Sequence, residues 1–303
     1  MSPAMSPAMS KTVVVYDQRM SFLISAGAAL QKLAEGIDHS EGPVYRPEDD
    51  SVIWSDVSGN RLFRWSPQDG VSTVRSPSDY QNGNCRDLEG RIVSCSHGQR
   101  AILRLEHGGD WRVLVSRYRG NRLNSPNDLT VTRDGSIWFT DPPFGLTQPR
   151  EGYSGPQEQP GSFVYRFDPA TDSIEAVVKE MERPNGIAFS PDEKTLYVSD
   201  SSQVNYPQGH HYVRAYDITS HGQAANGRVF VTIEPGQPDG LKTDGAGNLF
   251  VTSADSVQVF DPVGIRLGKI LVPEICSNLT FGGKDGKRLF ITAGKSLYAI
   301  DLA

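Results

Sequence analysis

Six residues with oxygen-bearing side chains recur in one context along the chain: Glu41, Asn82, Asn127, Asn185, Asp239 and Asn278. Each opens a short stretch like Pro184-Asn185-Gly186-Ile187-Ala188-Phe189. The other versions are Glu41-Gly42-Pro43-Val44-Tyr45, Asn82-Gly83-Asn84-Cys85, Asn127-Asp128-Leu129-Thr130-Val131, Asp239-Gly240-Leu241-Lys242-Thr243 and Asn278-Leu279-Thr280-Phe281. Brought to one point, two carboxylates and four amides form an all-oxygen cage with two negative charges. Such a cage suits a hard divalent cation such as calcium, magnesium or manganese rather than a structural zinc, which takes Cys or His. Read singly, Asn-Gly or Asp-Gly is an ordinary turn dipeptide. Recurrence at one repeat position, and the Glu that breaks the turn pattern, point beyond turns.

The elements that must position these residues follow from the spacing. The openers lie 41, 45, 58, 54 and 39 residues apart, and several reach a turn glycine eight residues on, at Gly90, Gly135, Gly247 and Gly286. A period of about 40 to 50 residues, with four short strands per unit, is the signature of a β-propeller. The expected fold is therefore all-β: a six-bladed β-propeller with a metal site on the central axis. The first strand of each blade lines the channel, so equivalent openers form a ring. Residues 1–20 read as a disordered or loosely attached tail, with a strand at 13–16 as an option, and residues 21–303 as a single propeller domain. Residues 29–34 read as a strand completing the sixth blade and hiding a sheet edge. A long Pro-, Gly- and Gln-rich insertion, 142–161, follows the second strand of blade three. Its length marks it as a lid over the ring or a solvated loop.

Composition narrows the function. A formal charge of −6 and a pI near 5.6 argue against nucleic acid, which calls for a basic patch. No apolar run is long enough for a membrane-spanning helix. Residues 22–30 are the one candidate signal-peptide core, without a clean basic start or cleavage site. Cys85, Cys95 and Cys276 are odd in number and form no CxxC, which favours reduced thiols and a cytoplasmic location over a periplasmic one. The expected assembly is a monomer or weak homodimer.

Several stretches together resemble one family. They are Ser40-Glu41-Gly42-Pro43-Val44-Tyr45, Asn124-Ser125-Pro126-Asn127-Asp128-Leu129, Trp138-Phe139-Thr140-Asp141-Pro142-Pro143-Phe144-Gly145-Leu146, Pro184-Asn185-Gly186-Ile187-Ala188-Phe189-Ser190-Pro191-Asp192 and Pro238-Asp239-Gly240-Leu241. In order, over residues 30 to 300, they resemble the gluconolactonase, senescence marker protein (regucalcin) and luciferin-regenerating enzyme family, with bacterial gluconolactonases nearest. The resemblance implies one axial divalent metal, usually calcium, and hydrolysis of a lactone such as glucono-1,5-lactone. Magnesium, manganese or zinc are substitutes. Matching motifs carry over Glu41, Asn185 and Asp239 as metal ligands, with Asn127 a fourth residue contacting metal or substrate. The family gives Asn82 and Asn278 no firm role.

A metal-polarised lactone carbonyl needs a general base to activate water, because calcium acidifies bound water less than zinc does. Asp239 is the first candidate. His97, in Cys95-Ser96-His97-Gly98 after a strand of blade two, is the second. Arg122, just before Asn124, is a candidate for substrate hydroxyls. No Gly-x-Ser-x-Gly elbow, phosphate loop or dinucleotide fingerprint is present. Two other readings use the same residues: a phosphotriesterase-like hydrolase with this metal cage, and a non-catalytic calcium-binding propeller.

Overall fold

Segments such as Ser51–Asp56, Ile137–Asp141 and Thr195–Asp200 carry β-branched and aromatic residues, and they are buried along nearly their whole length. A strand covered on both faces must lie inside a stack of sheets, and the computed structural model has this arrangement for residues 12–303. Six antiparallel blades follow one another around an axis. Blade one is Ser40–Arg46, Ser51–Asp56, Arg61–Ser66 and Gly70–Arg75. Blade two is Gln81–Arg86, Ile92–Ser96, Ala101–Leu105 and Trp111–Val115. Blade three is Leu129–Val131, Ile137–Asp141, Phe163–Asp168 and Ser173–Val178. Blade four is Pro184–Phe189, Thr195–Asp200, Tyr212–Ile218 and Ala224–Thr232. Blade five is Leu241–Thr243, Leu249–Thr252, Ser256–Phe260 and Arg266–Leu271. Blade six is Cys276–Gly282, Arg288–Ala293 and Ser296–Asp301, completed by Gln31–Ala34. The ring is thus closed by the N-terminal strand expected at 29–34.

Blade five differs from expectation by one strand. Val13–Val15 pairs antiparallel with Arg266–Leu271 as a fifth, outermost strand. A short 3-10 helix at Gln18–Phe22 follows, with Met20 fully buried in the core between blades five and six. Residues 12–20 are therefore tied down rather than loosely attached. Residues 1–11 lie outside the described residues. The apolar side chains Val13, Met20 and Ile24 account for the docking, since their burial repays the ordering of the segment.

Inter-blade bonds hold the innermost strands together. Gly83 N–H donates to Asn127 O at 2.8 Å, Gly186 N–H to Asp239 O at 3.1 Å, and Gly240 N–H to Ser277 O at 2.6 Å. Hydroxyls on the second strands repeat the pattern. Ser55 Oγ donates to Asn82 O, Thr140 Oγ1 to Asn185 O, and Ser199 Oγ to Asp239 O, at 2.6–2.7 Å. These bonds satisfy buried carbonyls that have no ladder partner.

The same register moves one sequence expectation. In blade six the residue equivalent to Asp239 is Ser277, and Asn278 takes the position that is glycine in blade five. The glycines allow blades to approach closely. Gly42 has φ +49°, and a Cβ there would collide with the carbonyl of Asn82 in the next blade. Gly42→Ala should cost about 3 kcal/mol from backbone strain plus overpacking. Chemical denaturation is the check; a loss under about 1 kcal/mol would mean that the inner ring adjusts easily.

Candidate functional site

The inner-strand openers converge on the channel. Glu41, Asn82, Asn127 and Asn185 are all buried. Glu41 Oε2 accepts its own Gly42 N–H at 2.5 Å and Asn278 Nδ2 at 3.1 Å. Burial raises the Glu41 carboxyl, His39 pulls it down, and Asp128 pushes it up; the net shift is upward. Asp239 is raised strongly by burial and then by the charges of Glu41 and Asp128, offset in part by a hydrogen bond from the Asn185 side chain. Like charges crowd a dry site, and each carboxylate resists ionisation until something cationic arrives.

Two oxygens wait for such a partner. Asp239 Oδ1 and Asn82 Oδ1 are buried without a hydrogen bond. Orphaned buried oxygens are costly, and a cation or ordered water is their usual complement. Their presence beside Glu41 and Asn185 fits the chemistry of a hard divalent ion. Among the described residues no three His, Cys, Asp or Glu side chains gather as a metal-holding group. A cage here would depend on two carboxylates supplemented by amide oxygens.

His97, the second candidate for the general base, does not stand free. It is buried, and both ring nitrogens are engaged. Nδ1 lies 2.8 Å from the Glu151 carbonyl oxygen, so Nδ1 carries the hydrogen, and Nε2 then accepts from Asn82 Nδ2 at 3.2 Å. This bond turns Asn82 Oδ1 away from the histidine. Burial lowers the His97 pKa, which keeps the ring neutral. Arg122 lies on a small hairpin, Arg117–Tyr118 with Asn121–Arg122. Its guanidinium reaches Gln99 O at 3.3 Å and its N–H donates to Glu158 at 2.8 Å; neither contact is to a ring residue. Asn127 is fixed through its backbone, donating to Thr140 O and accepting from Gly83 N–H.

The 142–161 insertion folds over blades one and two. It opens with a single helical turn, Phe144–Thr147, whose Gly145 packs on His97 and Ser125. Arg150 pairs with Asp38 at 2.6 Å, Glu151 with His39 at 3.2 Å, and Tyr153 packs edge-on against Tyr80. Burial pulls His39 down, but the bond and charge of Glu151 outweigh it, so its pKa is raised. Burial pushes Glu151 up, and His39 more than reverses this, so its pKa is lowered. The histidine's contribution is complete below its ordinary value of 6.5 and fades as pH rises through the raised one. The carboxylate's contribution is complete above its ordinary 4.5 and fades as pH falls through the lowered one. The latch is therefore strongest between these ordinary values. Glu151→Gln should lower Tm most within that window and progressively less at alkaline pH. A deficit independent of pH would show that the pair contributes no charge.

Sequence reasoning missed several positions. Asp56, Asp141 and Asp200 end second strands in the repeated pattern Trp54-Ser55-Asp56, Phe139-Thr140-Asp141 and Val198-Ser199-Asp200. They tether mouth loops: Asp56 accepts from His39 N–H, Asp141 from Asn124 N–H, and Asp200 from Glu182 N–H. The recurring Ser/Thr-Asp was the available signal. Burial pushes the Asp141 carboxyl up to about 7, and its Oδ1 has no hydrogen-bond partner. Asp128 and Lys242 lie inside the recurring stretches Asn127-Asp128-Leu129 and Asp239-Gly240-Leu241-Lys242, yet only the structure pairs them, at 3.5 Å.

Comparison with known proteins identifies the family by sequence and the fold by superposition. Residues 39–295 match the family described as SMP-30/Gluconolactonase/LRE-like region. A gluconolactonase of Zymomonas mobilis is 31% identical to this chain, over 95% of this chain and 85% of its own length. A Pseudomonas putida 6-deoxy-6-sulfogluconolactonase is 29% identical, over 84% and 83%. A solved structure from Xanthomonas campestris, described as a gluconolactonase important in glucose secondary metabolic pathways, is 36% identical. It superposes with a TM-score of 0.91 over 100% of this chain and 99% of that one.

Proposed function

The chain belongs to the SMP-30/Gluconolactonase/LRE-like family, and we propose that it is a divalent-metal-dependent lactonase that opens sugar lactones such as glucono-1,5-lactone to the aldonic acid. The observation that carries the reading is the pair Glu41 and Asp239. Glu41 is buried, Asp239 is half-buried, the two carboxylates repel each other, and Asp239 Oδ1 is a buried oxygen without a partner. The lactonase names of relatives such as the Zymomonas and Pseudomonas proteins support the substrate class. Calcium is the expected ion, because the donors are all oxygen and mostly neutral.

Glu41, Asn185 and Asp239 would hold the ion, with Asn82 and Asn127 supplying further amide oxygens. When bound, a divalent cation supplies Lewis-acid polarisation of a carbonyl and stabilises developing negative charge on its oxygen. The chain's residues do the rest. Asp239 takes a proton from the attacking water, because its carboxylate lies in the ring and carries a free oxygen. His97 acts through Asn82: the Nδ1–H bond to Glu151 fixes the tautomer, and Nε2 fixes the amide. The 142–161 segment limits water at the mouth, so charges inside act in a low dielectric. No helix among the described residues is long and apolar enough to cross a membrane.

A phosphotriesterase would use the same ring. Parallel assays on glucono-1,5-lactone and an aryl dialkyl phosphotriester, with one calcium-loaded preparation, separate the readings. Lactone turnover well above phosphotriester turnover is expected. The reverse order would replace the proposed substrate class.

A further inference from the structure

A third carboxylate shares the axis with Glu41 and Asp239. Blades one, two, four and five carry a glycine after the ring opener: Gly42, Gly83, Gly186 and Gly240. Blades three and six lack it, and Asp128 and Asn278 occupy the space. Asp128 is 2% exposed. Its Oδ1 accepts Leu129 N–H at 2.9 Å, while Oδ2 lies 3.4 Å from Asn278 Nδ2 and 3.5 Å from Lys242 Nζ. Asn278 Nδ2 also donates to Glu41 Oε2 at 3.1 Å. Its Oδ1 accepts Leu279 N–H at 2.9 Å, which fixes the amide with its donor toward the carboxylates. Side chains from blades one, three, five and six can meet only on the axis.

The charges here can be counted. Glu41, Asp128 and Asp239 bring three negative charges. Glu151 and His39, when the histidine is protonated, pair with each other and cancel. His97 is neutral with both nitrogens engaged. Among the described residues, Lys242, on the innermost strand of blade five, is the one cation paired with Asp128. The sum is two negative charges, matching one divalent ion.

We propose that Lys242 is a specificity-determining residue: by neutralising Asp128 it holds the axial site at the charge of a single divalent cation and disfavours trivalent ions. The inference rests on the metal-dependent reading above. Buried charges interact strongly because little water screens them. An ammonium suits this role better than a bound ion would, since it is covalently anchored and cannot dissociate.

The test measures terbium(III) affinity by sensitised luminescence and calcium affinity by calorimetry. The proteins are wild type, Lys242→Met, Asp128→Asn and the double variant. Removing the lysine should raise the preference for terbium over calcium by about tenfold, the effect of one unit charge on the other at buried range. Asp128→Asn should lower that preference by a similar factor, and it gives the answer independently if Lys242→Met does not fold. The double variant restores two negative charges and should return within about twofold of wild type. Preferences unchanged in both single variants, with wild type binding calcium normally, would overturn the role of Lys242 alone. Wild type that binds neither ion would overturn the metal reading, and this inference with it.

Discussion

Asp239→Asn should bind calcium more weakly and, once saturated with it, still turn over lactone about 10² to 10⁴ times more slowly than wild type. The substitution keeps an oxygen of similar size at the ring but removes a charge and the proton acceptor. A loss of that size corresponds to about 3 to 5 kcal/mol of transition-state stabilisation. Asn185→Ala provides the contrast. It removes a neutral oxygen that water can replace, so excess calcium should recover much of its rate. Rates at saturating calcium separate ligand from base. Near-full recovery of Asp239→Asn would reduce Asp239 to a ligand and return the base role to His97, whose Nε2 would then have to leave Asn82.

Glu41→Gln should weaken calcium binding by about 10²- to 10³-fold, because it leaves the buried cage short of one of its charges. Calorimetric titration after exhaustive dialysis is the check. The Asn278 amide, which donates to Glu41 Oε2, can still donate to a glutamine oxygen. The local fold should therefore survive, and thermal unfolding of the metal-free protein should change little. Unchanged affinity would remove Glu41 from the ligand set.

Much of the architecture was legible in the sequence, because a propeller repeats its punctuation. Asn185-Gly186, Asp239-Gly240 and Glu41-Gly42 mark the same structural position, and turn glycines such as Gly135 and Gly247 mark the hairpins. The closing strand at Gln31–Ala34 was readable because blade six came up one strand short. The fifth strand of blade five was less legible: Val13–Val15 is three residues long, and its partner lies more than 250 residues away. Asn278 shows a different limit. Register in a strand is decided by partners across the sheet, and the bond from Gly240 N–H to Ser277 O assigns the ring position one residue earlier.

The site was readable as a ring of residue types, not as a network. That Asn82 points an unpartnered oxygen away from His97 depends on the Glu151 carbonyl, 54 residues along the chain from the histidine. The Lys242–Asp128 pair joins blades five and three across 114 residues. Neither follows from local spacing. The 142–161 insertion was visible from its length and composition, but its attachment through Arg150, Glu151 and Tyr153 needed the positions of Asp38, His39 and Tyr80.

Dependence of lactone hydrolysis on a bound divalent ion is the central claim, and it can be measured directly. Glucono-1,5-lactone hydrolysis is followed at constant pH before chelation, after chelation and dialysis, and after adding back calcium, magnesium, manganese or zinc singly. Chelation should abolish turnover above the spontaneous rate, and calcium should restore it with one ion bound per chain. Full turnover by protein shown to contain no metal would contradict the claim.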